Sequence, residues 1–184
     1  IALVLTIIWF QKGLVLGGGE AGVPFYNFQN ELSIDRNAWV EKALGNPTGV
    51  VTALFPSFYL FSLLQNLGVS AVFLQAGLFF ILLAIGFLGM YLLVNRTSNN
   101  QWIAFLAALF YNLNLMAMTV VWNRFQYPFM FFYAFIPLAL YFFIRGLVEK
   151  KIIFALILNL LVLCFVMFLT SVPLLFVYWI LFGL

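Results

Sequence analysis

The chain has 184 residues, of which 66% are hydrophobic and only 7% are charged. A soluble domain carries roughly 25% charged residues, so this composition cannot cover a water-facing surface and indicates an integral membrane protein. The net charge is only +3, and no basic cluster points to a nucleic-acid partner. Histidine is absent and there is one cysteine, which removes the commonest ligands for zinc, haem and iron–sulfur centres and excludes a Ser-His-Asp triad. A divalent cation held by oxygen ligands stays open.

Apolar runs along the chain predict the membrane spans. Because the sequence begins inside one such run and stops inside another, we interpret residues 1–184 as one transmembrane module that is a fragment of a larger chain. A span needs about 20 apolar residues. The expected spans are 1–11 (the end of one), 69–94, 101–121, 129–147, 152–170 and, if a new helix begins near Pro173, 172–184. The predicted fold is all-α, a polytopic transmembrane helical bundle.

Residues 12–68 form the one long polar stretch and contain four of the five acids. Within this stretch, residues 50–66 are uncharged but carry several hydroxyls and amides. This composition suits a helix lying at the membrane interface, with Pro56 tolerated in its first turns. We therefore expect a first loop that contains an interfacial helix.

Charge predicts the orientation of the module. If the spans alternate, the turns at 95–100 and 145–151 share one side, and the loop 12–68 shares the other with the turn at 122–128. The positive charges of the first pair of turns are packed into much shorter loops, which favours that side as cytoplasmic. We therefore expect a multi-pass protein of the cell membrane whose first loop is extracytoplasmic.

The candidate site lies in "LVLGGGEAGVPFYNF", residues 14–28, where glycines surround the lone acid Glu20. Glycine allows backbone conformations and close approaches that other residues resist. A carboxylate held there could act as a general base or as a ligand for a cation. Arg124 projects from the same predicted side and could contact a phosphate. Two plainer interpretations stay open: a solvated glycine-rich turn, and an arginine that anchors a helix end at the headgroups.

Five short motifs follow one another in a recognisable order. They are "GGGEAGVPFYN" (17–27), "NAWVEKALGNPTG" (37–49), "FPSFYLFSLLQNLG" (55–68), "AALFYNLNLMAM" (107–118) and "FIPLALYFFIRGL" (135–147). In this order the chain resembles the N-terminal membrane module of GT-C glycosyltransferases. It is most similar to the large arabinofuranosyltransferase-like membrane proteins.

The resemblance implies a cell-envelope transferase that moves a sugar from a polyprenyl-phosphate donor to a glycan or a lipid-linked acceptor. It implies that an acid in the first loop activates the acceptor hydroxyl, and Glu20 matches that position. In that family the position more often holds aspartate. Asp35 is the candidate for the second acid that some members use, and Arg124 is the candidate for contact with the donor phosphate.

Two other classes of function remain open. A lipid or small-molecule transporter, or a flippase-like bundle, should carry ionisable groups inside its spans. The predicted spans instead carry amides such as Asn112, Asn114 and Asn159, which disfavours ion-coupled transport. The other class is a non-catalytic membrane assembly subunit that keeps the fold without the chemistry.

Overall fold

The computed structural model describes residues 1–17, 27–35, 39–40, 46–47, 55–164, 177 and 180–181. Over these residues the chain is helical, as predicted. The helices are α1 Ala2–Phe10, α2 Phe28–Asp35, α3 Phe55–Asn66, α4 Ala71–Ser98, α5 Gln101–Leu113, a π-helix Ala117–Trp122, α6 Tyr127–Glu149 and α7 Ile152–Cys164. The described residues also include one short antiparallel pair, β1 Trp39–Val40 with β2 Asn46–Pro47, in which Trp39 lies opposite Pro47.

Two helices, α4 and α6, are long and apolar enough to cross a membrane. The 28 residues of α4 correspond to about 42 Å at 1.5 Å per residue, which exceeds the roughly 30 Å of a hydrocarbon core. Helices α5 and α7 are apolar but shorter. Large apolar side chains also point outward, such as Phe73 and Phe110, each about three-quarters exposed. Length, composition and apolar surface together indicate a membrane protein.

Side-chain caps set the bounds of α4 and α5. The Ser70 hydroxyl accepts a bond from the backbone N–H of Phe73 and begins α4. Asn99 adopts the left-handed conformation, with φ of 50°, and ends it. The Asn100 side chain then accepts bonds from the N–H groups of Trp102 and Ile103, which satisfies donors that the first turn of a helix leaves free. The connection between the two helices is therefore only two residues long.

Helix α4 is the centre of the fold, and α1, α5 and α6 all pack against it. Its approach to α6 is closest at Gly89, where a Cβ atom would lie 2.7 Å from the backbone nitrogen of Leu138. One turn earlier, a Cβ at Gly86 would lie 2.7 Å from the side-chain oxygen of Asn112 in α5. Small residues on a helix allow such close approach between backbones.

The predicted span 101–121 is an α-helix only as far as Leu113. Asn114 takes an extended conformation, with ψ of 158°. Its amide group donates to the carbonyls of Phe110 and Tyr111 at 3.0 and 2.9 Å, and its side-chain oxygen accepts from the N–H of Ala117 at 2.9 Å. One side chain therefore ends α5 and starts the turn that leads into the π-helix, as asparagine does when it competes with the helix backbone.

Helices α2 and α3 pack against each other within the predicted first loop, and their buried phenylalanines join the core of the bundle. Phe28 is fully buried and its ring lies 5.1 Å from that of Phe61 and 5.5 Å from that of Phe58, measured between centroids. The side chain of Asn27 accepts a bond from the N–H of Asn30 and begins α2. Helix α3 falls inside the stretch expected to form an interfacial helix, with Pro56 at its second position.

Candidate functional site

The structure describes one of the three predicted site residues in full. Arg124 lies in the turn between the π-helix and α6. Glu20 lies outside the described residues, and so do most of the residues of the predicted segment 172–184. Asp35 is the last residue of α2, and its side chain lies outside the description. The site is therefore built from Arg124 and from the segment that leads toward Glu20.

That segment is fastened to the bundle by a buried glutamine in α4. Gln75 is only 1% exposed. Its side-chain oxygen accepts from the backbone N–H of Leu16 at 2.7 Å, and its amide group donates to the Leu16 carbonyl at 2.6 Å. The same amide group donates to the hydroxyl of Tyr127 at 2.9 Å. We call these three residues the Gln75 bridge; it ties the segment after α1 to the first turns of α4 and α6.

The turn beside the bridge presents Arg124 outward. Trp122 is fully buried, and its indole N–H donates to the carbonyl of Asn112 at 3.1 Å. Phe125 is 4% exposed and adopts φ of 51°, a left-handed conformation that is uncommon for a bulky residue. Arg124 and its neighbour Asn123 are exposed, whereas Trp122 and Phe125, which flank this pair, are buried. Within the described part of the chain the guanidinium of Arg124 makes no hydrogen bond or ion pair.

A π-helix leads directly into this turn. Such segments are rare and are often found at functional sites. Leu16, Gln75, Arg124 and Tyr127 thus gather at one end of the bundle, which we call the Arg124 end.

The opposite end of α6 carries a second polar cluster. Glu149 accepts a bond from Arg145 at 2.6 Å between Oε1 and Nε, and Arg145 also donates to the hydroxyl of Tyr141 at 3.1 Å. Lys151 and Arg96 approach the same carboxylate at 3.5 and 3.8 Å. We call this the Glu149 end. Since Tyr127 and Glu149 are the first and last residues of α6, the two ends lie about 33 Å apart at 1.5 Å per residue, close to the thickness of a bilayer core.

The predicted cation site gains no further ligands from the described residues. Among them, no three residues of the Asp, Glu, Cys and His types lie close enough to hold a metal ion together. The first-loop acids on which the prediction depends lie outside the described side chains. A divalent cation at Glu20 therefore stays a prediction from the sequence.

The sequence analysis did not predict the Gln75 bridge, although the sequence contains an indication of it. Gln75 is an amide within the apolar run 69–94, and polar side chains inside spans commonly bond to neighbouring segments. The partner could not be read from the sequence, because Leu16 is 59 residues away and offers only its backbone.

Comparison with models of known protein families, with curated proteins and with solved structures finds no match for this chain. Its function is therefore argued from its own sequence and geometry.

Proposed function

We propose that this chain is the membrane part of a GT-C-type glycosyltransferase. It transfers a sugar from a polyprenyl-phosphate donor to an extracytoplasmic acceptor, a glycan or a lipid-linked molecule, at the Arg124 end. The proposal includes a multi-pass arrangement in which the loop 12–68 and the turn at Arg124 face the outside. It rests on the order of the five motifs and on the concentration of acids in the first loop.

The observation that carries the proposal is the Gln75 bridge. Glu20 follows Leu16 by four residues, and Arg124 precedes Tyr127 by three. An extended chain spans at most about 3.6 Å per residue, so these connections reach no farther than about 14 and 11 Å. The bridge joins Leu16 to Tyr127 through one side chain. An acid and a cation tethered this way are compatible with contact to a single substrate.

The chemistry suits the end of a bundle. A polyprenyl-phosphate donor keeps its tail in the bilayer and its phosphate at the surface, so a site at the boundary between span and loop meets both. The Glu20 carboxylate accepts the proton of the acceptor hydroxyl as its oxygen attacks the anomeric carbon. The bond from that carbon to the phosphate oxygen breaks, and the lipid phosphate leaves with the electron pair.

Negative charge develops on the departing phosphate, and a positioned cation stabilises it. Arg124 would supply that charge, because a guanidinium matches the geometry of a phosphate. Its exposure and its lack of a described ion pair leave it available for such a contact. Asp35 enters as a second acid on the resemblance alone, and a divalent cation bound by carboxylates would support the same charge.

The test compares carboxylate variants of the full-length protein in membranes supplied with a lipid-linked sugar donor. Glu20→Gln is expected to lower transfer by at least about 10²-fold, the usual contribution of a general base. Glu20→Asp should keep much of the activity because it keeps the carboxylate. Glu31→Gln removes an acid from the same loop and is the matched control. Full activity of a folded Glu20→Gln protein would exclude the proposed mechanism.

The role of Arg124 is tested separately. Arg124→Gln is expected to reduce transfer by about 10²-fold, which is the usual effect of removing one group that stabilises developing charge. Arg124→Lys keeps the charge but loses the paired donors, so its activity should lie between those of the wild type and Arg124→Gln. Equal activity of all three proteins would remove Arg124 from the site.

A further inference from the structure

A groove lies between α6 and α7 at the Glu149 end of the bundle. The groove has a volume of about 430 Å³. Its walls are mainly apolar and include Phe143, Leu147, Ala155 and Leu158, and Lys150 and Lys151 line it where the two helices meet. Gly146 also lines it, and its missing side chain leaves space beside Phe154. The groove is thus apolar along its length and cationic at one end.

The turn between the helices explains why two lysines stand there. Lys150 adopts a left-handed conformation, with φ of 51°, and its N–H bonds to the carbonyl of Gly146 at 2.9 Å, which ends α6. Helix α7 begins at Ile152, so Lys150 and Lys151 make up the whole connection. Both are exposed. The N-terminus of α7 faces the same turn and adds positive potential there.

Charge at this end is not balanced by the protein. Four cations, Arg96, Arg145, Lys150 and Lys151, accompany the single carboxylate of Glu149. The excess of three positive charges equals the net charge of the whole chain. Glu149 is already approached by three of these cations, whereas Lys150 makes no ion pair within the described ranges.

The polar cluster at the Glu149 end contacts the groove through Arg145. The guanidinium carbon of Arg145 lies 4.4 Å from the ring centroid of Phe154, whose side chain lines the groove. This distance is within the range of a cation–π interaction. Arg145, which is paired with Glu149, therefore contacts one wall of the groove from outside, while the two lysines carry the surplus charge.

We propose that this groove binds an anionic glycerophospholipid of the surrounding bilayer. The phosphate lies against Lys150 and Lys151, and one acyl chain runs along Leu147, Ala155 and Leu158. Charge complementarity selects this occupant, because a zwitterionic lipid would leave the positive excess unbalanced. Basic pockets between membrane helices are known to bind anionic headgroups. The proposal uses none of the residues of the transferase site and stands independently of it.

The experiment measures lipid binding to the full-length protein by native mass spectrometry. The protein is released from nanodiscs that contain equal amounts of phosphatidylglycerol and phosphatidylcholine. The wild type should retain phosphatidylglycerol preferentially. A lysine near an anionic membrane surface contributes about 1 kcal/mol, or about fivefold, so Lys150→Gln with Lys151→Gln should reduce that preference by about 25-fold. Lys12→Gln with Lys42→Gln removes two lysine charges elsewhere in the chain and should leave the preference unchanged.

A second variant tests the groove and not only the charge. Ala155→Phe fills the apolar wall and keeps all four cations, so it should displace the bound lipid as effectively as the lysine variants do. Retention of phosphatidylglycerol by a folded Ala155→Phe protein would overturn the proposal. The lipid preference would then come from electrostatic attraction to surface cations and not from binding in the groove. Equal retention of the two lipids by the wild type would overturn it as well, and would leave residues 165–184 of this chain as the occupant to test.

Discussion

A single methyl group on α4 tests the packing that holds α4 and α6 together. At position 89, the new Cβ would lie 2.7 Å from the nitrogen, 3.0 Å from the Cβ and 3.1 Å from the Cα of Leu138. Favourable contacts between carbon atoms lie at about 3.5–4.0 Å. Two of the three atoms belong to the backbone of α6, so they cannot rotate away. Gly89→Ala must therefore move the helices apart by about 0.8 Å.

The same helix provides its own controls. A Cβ at Gly77 would meet nothing within 4 Å, and one at Gly86 would meet the end of the Asn112 side chain. Replacing glycine by alanine within a helix stabilises it by about 0.8–1 kcal/mol, and this gain applies to every position in the series. Overpacking costs about 1–3 kcal/mol. Gly89→Ala should therefore be less stable than Gly77→Ala by about 1–3 kcal/mol, with Gly86→Ala between them.

The free energy of unfolding of the three variants can be measured in detergent by titration with a denaturing detergent, with helicity followed by circular dichroism. Equal stability of Gly89→Ala and Gly77→Ala would refute the close approach of α4 and α6. It would also weaken the Gln75 bridge as support for the site, because that bridge depends on the same two helices.

Two further substitutions test the Gln75 bridge and the end of α5. Gln75→Met keeps the size of the side chain but removes its hydrogen bonds to the backbone of Leu16 and to the buried hydroxyl of Tyr127. The protein should therefore lose about 1–3 kcal/mol of stability and part of its transfer activity. The control is Gln101→Met at an exposed position, and an unaltered thermal midpoint for Gln75→Met would contradict the bridge. Asn114→Ala removes the side chain that ends α5 and starts the next turn, and it should lower the free energy of unfolding by about 1 kcal/mol, as for other helix caps. Asn159→Ala is the control, because its lost bond lies within a continuous helix. It should lower the free energy of unfolding by less when both variants are measured by the same titration.

The sequence predicts the long helices well and their ends less well. The expected span 129–147 falls inside α6, and the expected span 69–94 coincides with α4 from Ala71 onward, because apolar runs of this length have few alternatives to a helix. Both helices extend beyond the predicted C-terminal ends, since polar residues such as Ser98 still take part in helix hydrogen bonding. Composition marks where a chain becomes polar, whereas the helix ends at Asn99 because of a backbone conformation.

The break in α5 could not be predicted from the pattern of apolar residues. Leu113, Leu115 and Met116 surround Asn114, and the residues on both sides continue the apolar run. The outcome depends on whether the asparagine side chain bonds to its own backbone, which is a competition between two local structures. The exposure of Arg124 could not be predicted either, since it depends on the burial of Trp122 and Phe125 in the same turn.

The Gln75 bridge has a consequence for which sequences this module tolerates. Gln75 contacts Leu16 through the N–H and the carbonyl of the backbone, so it recognises a peptide group and not a particular side chain. The bridge itself therefore sets no requirement on the side chain at position 16, and that side chain is restricted only by its packing against the core. Proline is the exception, because it has no N–H to donate. In distant homologues we therefore expect glutamine to be conserved at position 75 more strictly than leucine at position 16.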